Sequence, residues 1–253
     1  MNKNLFRQLI VILAVVATIV VNGLANALPL NGLQTGEISD RFEVFFVPAG
    51  YVFSIWGLIY LGLILYAVYQ ALPAQRENPR LVGTGWLFVL SSLANIAWIF
   101  LWHYEQFPLT LLAMFSLLGL LIAIYLRLGI GKTAVSTAEK WLVRVPFSTY
   151  LGWITVATIA NITSTLDFLQ WNGWGIGPAA WTVIMLAAGT VIAALMAFLR
   201  REGAYLLVII WAFAGIAVKH AATPAVAIAA WAGAGLVLAA LAISRLRKAV
   251  NNR

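Results

Sequence analysis

Residues 149–161, TYLGWITVATIAN, place polar chemistry inside an apolar run. Trp153, Ala157 and Asn161 are spaced four residues apart, so a helix aligns them along one face. A carboxamide gains nothing from hydrocarbon, so this face is expected to meet something polar or flat rather than lipid.

Two other apolar segments carry similar faces. In LSSLANIAWIFLWHYEQF, Asn95, Trp98 and Trp102 share a helical face, and in FFVPAGYVFSIWGLIY so do Trp56 and Tyr60. For any single residue, helix-to-helix packing or interfacial anchoring explains the pattern as well. Three such faces together favour a pocket that stacks a flat, mostly apolar ligand.

Catalytic and metal-binding constellations are not apparent. The chain has no cysteine and two histidines far apart, and its carboxylates fall between the apolar runs rather than inside them. We therefore expect no enzymatic activity, no metal site and no resident cofactor. His103 is expected to be solvated, and Lys219 to extend towards the membrane interface.

The composition indicates an integral membrane protein. Of the 253 residues, 63% are hydrophobic and 9% charged, and the mean hydropathy is +0.94. The apolar runs match the roughly 20 residues that a membrane-spanning helix needs. We predict an all-α, polytopic transmembrane bundle of about eight spans, at residues 6–28, 48–71, 83–103, 108–128, 142–165, 178–199, 204–221 and 224–245.

The basic residues predict the orientation. With these spans, all but Arg41 and Lys219 of the 16 Lys and Arg residues fall on one side. The positive-inside rule then places both termini in the cytoplasm of a bacterium-like cell, with the chain multi-pass in the inner (plasma) membrane. Residues 1–27 also resemble a signal peptide, ending in Ala25, Asn26 and Ala27. We keep them as the first span, although charge alone does not exclude cleavage.

The external loop, residues 28–47, is long for a helix connection and is expected to be either a lid or a solvated linker. Short similarities, such as residues 17–28 with 157–168, indicate two parallel four-helix halves or arise by chance. Two halves favour an alternative function, a secondary transporter of a small hydrophobic or amphipathic solute.

The three polar faces resemble the TspO/MBR family, the tryptophan-rich sensory or translocator proteins. The family's fifth helix has the pattern P-Y-x-x-W-x-x-F-A-x-x-L-N, its third carries N-x-x-W, and its second runs from a proline to V-W-x-x-L-Y. Matching or in-register positions are Thr149, Tyr150, Trp153, Val156, Ala157, Ala160 and Asn161 in the fifth span, Asn95 and Trp98 in the third, and Pro48, Ile55, Trp56, Ile59 and Tyr60 in the second.

The resemblance implies a five-helix domain over residues 1–165, followed here by a three-helix extension over residues 166–253. It implies that the external loop covers a pocket for a porphyrin or haem-type molecule, a sterol-like or another flat hydrophobic molecule, used in sensing or trafficking. By position, the ligand-binding residues would be Trp56, Tyr60, Asn95, Trp98, Trp153, Ala157 and Asn161.

The expected partners are this hydrophobic small molecule and the lipid bilayer, without nucleic acid. A homodimer is a candidate oligomeric state, although the extra spans could cover the surface it would need. A membrane enzyme that uses its tryptophans in photochemistry or oxidation, and a purely structural subunit, also remain open.

Overall fold

A computed structural model describes residues 3–28 and 30–251, with side chains described up to residue 246. Within these residues the structure is helical and has no strand, which confirms the predicted all-α class. The α-helices are α1 (Lys3–Ala27), α2 (Thr35–Asp40), α3 (Ile55–Ala71), α4 (Pro79–His103), α5 (Phe107–Arg127), α6 (Thr137–Glu139), α7 (Val145–Phe168), α8 (Pro178–Arg200), α9 (Gly203–Lys219) and α10 (Pro224–Asn251).

Seven helical segments of the described chain are long and apolar enough to cross a membrane. They correspond to seven of the eight predicted spans. The remaining one, predicted at residues 204–221, is α9, an apolar helix of 17 residues. At 1.5 Å per residue α9 is about 25 Å long, which is at the short end for a membrane span.

The structure adds detail to the predicted segmentation. The external loop contains the short helix α2. The second candidate span, Gly50–Ala71, begins two residues after the predicted start and opens with a 3-10 turn, Gly50–Ser54, ahead of α3. The turn follows Pro48, whose missing N–H and fixed φ are more easily accommodated ahead of a helix than within one.

Proline and side-chain caps explain where several helices begin. Pro79 and Pro178 open α4 and α8, where the missing backbone N–H costs no helical hydrogen bond. At α9, the side chain of Glu202 accepts hydrogen bonds from the backbone N–H groups of Ala204 and Tyr205. These signals are local, which is why the sequence predicts most helix starts closely.

The helices pack as a continuous bundle with one main core. α1 packs on α4 and, less extensively, on α3, while α5 lies between α4 and α7. α9 packs on α7, and α10 contacts both α8 and α9. Gly152 permits the close approach of α7 to α9, since a Cβ there would lie 3.0 Å from the carbonyl oxygen of Tyr205.

Candidate ligand-binding site

A cavity of about 340 Å³ lies at the end of the bundle where α1 and α4 finish and α3 begins. Its volume falls in the range of small-molecule sites. Its walls come from α1, the external loop, α3, α4, α5 and α7. All seven residues proposed from the sequence line it: Trp56, Tyr60, Asn95, Trp98, Trp153, Ala157 and Asn161. The structure therefore brings the three predicted faces together, and ligand binding by them stays a prediction.

Aromatic rings form two stacked pairs at the cavity. Trp56 stacks on Tyr60 with ring centroids 5.4 Å apart, and Trp98 stacks on Trp102 at 5.3 Å. Trp153 stands edge-on to Trp56 at 6.2 Å. Stacking on a neighbour covers one face of a ring and holds its plane, so the rings of the two pairs have fixed orientations at the cavity wall.

The carboxamides of the site are already engaged with neighbouring helices. Asn22 of α1 donates to the side-chain oxygen of Asn95 in α4 at 2.7 Å. The indole N–H of Trp98 donates to Asn161 Oδ1 at 2.9 Å, and Asn161 Nδ2 donates to Thr110 Oγ1 at 2.8 Å. These bonds join α1 to α4, α4 to α7, and α7 to α5. Asn95 and Asn161 line the cavity, yet their described bonds hold its walls in position.

The external loop covers the cavity and is fixed by α4. Thr35 lines the cavity, and its carbonyl oxygen accepts from the indole N–H of Trp102 at 3.2 Å. Ile38 of α2 is fully buried against Trp102 and Phe107. Between the lid and the solvated linker left open by the sequence, the geometry favours a lid.

His103 is one of the residues that hold this loop, and its predicted solvation is wrong. The side chain is 1% exposed. Its Nδ1 faces the carbonyl oxygen of Leu30 at 3.1 Å, and its Nε2 lies 2.9 Å from Thr35 Oγ1. Because a carbonyl only accepts, Nδ1 carries a proton, and in the neutral ring Nε2 then accepts from the threonine hydroxyl.

Two ion pairs also anchor the external loop. Arg41 pairs with Glu105 in the α4–α5 turn, and the guanidinium lowers the pKa of that carboxyl. Lys219, at the end of α9, lies 3.0 Å from Asp40 Oδ1. The pairing gives Lys219 a specific partner, where the sequence predicted only an extension towards the interface.

α9 holds the segment that joins the external loop to α3. The carbonyl oxygen of Gly215 accepts from the backbone N–H of Ala49 at 3.1 Å, and the indole of Trp211 donates to the carbonyl of Val52 at 3.1 Å. His220 Nε2 faces the carbonyl of Val47 at 3.3 Å. Partial burial, with Lys219 adding to it, lowers the pKa of His220. We call the external loop, together with the turn Gly50–Ser54 that follows it, the cavity roof. The helices that follow residue 165 therefore help to position this roof.

Sequence reasoning missed several residues of the cavity. Trp102 shares a helical face with Trp98, and this spacing could have been used to predict that Trp102 lines the cavity. Asn22, Asn26 and Thr35 had no counterpart in the motifs, and their place became visible only with α1 and the loop folded onto α4. Among the described residues no group of three or more His, Cys, Asp or Glu side chains could hold a metal ion.

A family model described as TSPO-like protein matches residues 8–243, from α1 into α10. The chain belongs to the TSPO-like family. This confirms the relationship indicated by the three polar faces, and with seven apolar helices it makes the chain a multi-pass membrane protein. The match continues past residue 165, and the division of this TSPO-like chain into residues 1–165 and 166–253 stays a prediction. Neither a curated protein nor a solved structure gives a significant match.

Proposed function

We propose that this TSPO-like protein binds a flat hydrophobic ligand, of porphyrin or sterol-like type, for sensing or trafficking and without bond-making chemistry. The observation that carries the proposal is the convergence of Trp56, Trp98 and Trp153 from three helices on one covered cavity. Aromatic faces fixed by their neighbours favour a rigid, planar molecule, because stacking on it costs little conformational entropy.

The cavity roof supports a role in capture and release. The external loop is joined to the bundle by hydrogen bonds, two ion pairs and the fully buried side chains of Ile38 and Phe46 rather than by a long helix. A loop held by side-chain contacts can open as a unit while the helical walls stay in place, and its buried apolar side chains oppose that opening.

A quenching titration in lipid nanodiscs tests the proposal. A porphyrin is titrated into the protein, and tryptophan fluorescence is measured against empty nanodiscs. We expect saturable quenching that the triple variant Trp56→Leu, Trp98→Leu, Trp153→Leu weakens at least tenfold. The matched control is Trp171→Leu, Trp174→Leu, Trp181→Leu, which removes three tryptophans that cluster outside the cavity. Equal affinity in all three proteins would refute the proposal.

The orientation is part of the same proposal: both termini lie in the cytoplasm and the cavity opens on the other side of the inner membrane. Because the chain has no cysteine, single-cysteine variants report without background. A membrane-impermeant maleimide should label Trp174→Cys in intact cells and leave Ala134→Cys unlabelled until the cells are lysed. Both positions are exposed. The reverse pattern would overturn the orientation.

A further inference from the structure

The charges at the cavity wall point to the kind of ligand it accepts. Among the described residues that line the cavity, Asp40 is the one with a formally charged side chain, and no Lys, Arg or His is among them. The other polar groups are carboxamides, hydroxyls and indole N–H groups. A carboxylate carried into this cavity would therefore meet no cation in its walls.

The charge of Asp40 is already matched from outside. Lys219 reaches it at 3.0 Å, and 70% of the Asp40 side chain is exposed. The nearest other basic group of the loop, Arg41, is paired with Glu105. Because Lys219 and Arg41 both have carboxylate partners within the chain, neither is available to neutralise an anionic ligand at the rim.

Several hydrogen-bond donors at the wall are committed as well. Asn22 donates to Asn95, Asn161 donates to Thr110, and the Trp98 indole donates to Asn161. The hydroxyl of Tyr60 and the buried indole N–H of Trp153 are different: both belong to cavity-lining side chains and have no hydrogen-bond partner among the described residues. Each can donate to a neutral oxygen or nitrogen atom at the ligand's edge, which needs one hydrogen bond and no counter-charge.

We infer that the cavity selects an uncharged flat ligand, one whose polar groups are ester, amide, carbonyl or hydroxyl, over a carboxylate-bearing molecule of the same shape. The inference rests on the proposed function and specifies the ligand class of the same site. Its physical basis is desolvation: an ionised carboxylate that loses water without gaining a cation is penalised, whereas a neutral group satisfied by one hydrogen bond is not.

A matched ligand pair tests the inference. Protoporphyrin IX carries two carboxylates, and its dimethyl ester has the same macrocycle without charge. Both are titrated at pH 7.5 into protein in zwitterionic nanodiscs, and the membrane partitioning of each is measured in empty nanodiscs and subtracted. We expect the ester to bind about tenfold or more tightly after this correction, a ratio that reflects part of the burial penalty of an unpaired carboxylate.

A charge-insertion variant separates charge from shape. Asn26 lines the cavity and is exposed at its rim, where its amide donates to the carbonyl of Asn22 at 2.9 Å. Asn26→Lys should raise the affinity for the free acid and reduce the ester preference at least fivefold. Asn26→Gln, the matched neutral control, should leave the preference close to that of the unmodified protein.

The outcomes are distinct. A free acid that binds as tightly as the ester overturns the inference and leaves the proposed function standing. An ester preference that Asn26→Lys and Asn26→Gln change equally also overturns it, because size rather than charge would then set the preference. If neither porphyrin saturates and the tryptophan variants behave alike, the proposed function fails and the inference fails with it.

Discussion

The contact between α9 and the turn before α3 allows a quantitative test of how the cavity roof is held. A Cβ built on Gly215 would overlap with Cγ2 of Val52 and lie 3.1 Å from Cβ of Pro48. Val52 is fully buried, so it cannot swing into open space. Gly215→Ala must therefore displace the turn Gly50–Ser54, which carries the cavity-lining Gly50 and Phe53.

The expected magnitude follows from two opposing effects. Overpacking a buried contact costs about 1–3 kcal/mol, while replacing glycine by alanine within a helix gains up to about 1 kcal/mol. Since the overlap is with a short, branched side chain, we expect the cost to exceed the gain. Gly215→Ala should lower the free energy of unfolding by about 1–2 kcal/mol, and it should weaken porphyrin binding as the turn moves.

A double-mutant cycle with Val52→Ala identifies the cause. Val52→Ala alone removes two buried methyl groups, a loss of about 1.5–2.5 kcal/mol including the cavity left behind. In the double variant the new alanine occupies part of the vacated space, so the two losses should not add. We expect a favourable coupling free energy of about 1–2 kcal/mol between the two positions.

The measurement is reversible unfolding in mixed micelles of a non-ionic detergent and sodium dodecyl sulfate, followed by near-ultraviolet circular dichroism. Gly119→Ala is the matched control, because it lies in the membrane helix α5 and a Cβ there meets nothing within 4 Å. The reasoning is refuted if Gly215→Ala is as harmless as Gly119→Ala, or if the effects of Gly215→Ala and Val52→Ala simply add.

Two further predictions concern the walls and the roof. Asn161→Leu removes the acceptor of the Trp98 indole and the donor to Thr110. It should lower the free energy of unfolding by about 1–2 kcal/mol, as model peptides indicate for hydrogen bonds between membrane helices. An unchanged unfolding curve would contradict this prediction. Glu105, whose pKa Arg41 lowers below the ordinary 4.5, should stabilise the closed roof above pH 4.5 and lose this effect as the pH falls through its lowered pKa. The pair is exposed, so the effect is under about 1 kcal/mol. As the pH falls through the lowered pKa, the rate of ligand dissociation should rise by no more than about fivefold. In Glu105→Gln this rate should not rise over the same pH range.

The sequence could predict the helical class and the three polar faces because both depend on local periodicity. Trp153, Ala157 and Asn161 share a helix, and the 3.6-residue repeat alone determines that they face one way. The spacing also brought Trp98 and Trp102 onto one face, although only Trp98 matched a family motif. Where the signal lies within one or two helical turns, sequence reasoning and structure agree.

The contacts that sequence reasoning missed join residues far apart along the chain. Trp211 donates to the carbonyl of Val52, 159 residues away, and Lys219 pairs with Asp40, 179 residues away. Every residue has a backbone carbonyl, so the sequence does not show which one accepts a long-range hydrogen bond. Nor does it mark which exposed aspartate will form an ion pair. His103 was misjudged for the same reason, because its burial depends on a loop that only tertiary packing brings over it.

The carboxamides hold the cavity walls together, whereas the tryptophans are proposed to contact the ligand. Replacing the two kinds of residue should therefore change stability and ligand affinity in different proportions. The shortest described hydrogen bonds of Asn95 and Asn161 are to other helices, so replacing either residue should lower stability first and affinity as a consequence. Trp56 has one face stacked on Tyr60, and under the proposed function truncating it should remove ligand contact area directly. If affinity and stability are measured together, the asparagine variants should fall on one line relating the two losses, while Trp56→Leu should lose affinity out of proportion to stability. A tryptophan variant on the asparagine line would mean that its ring serves packing alone, and the aromatic wall would then have no role in recognising a ligand.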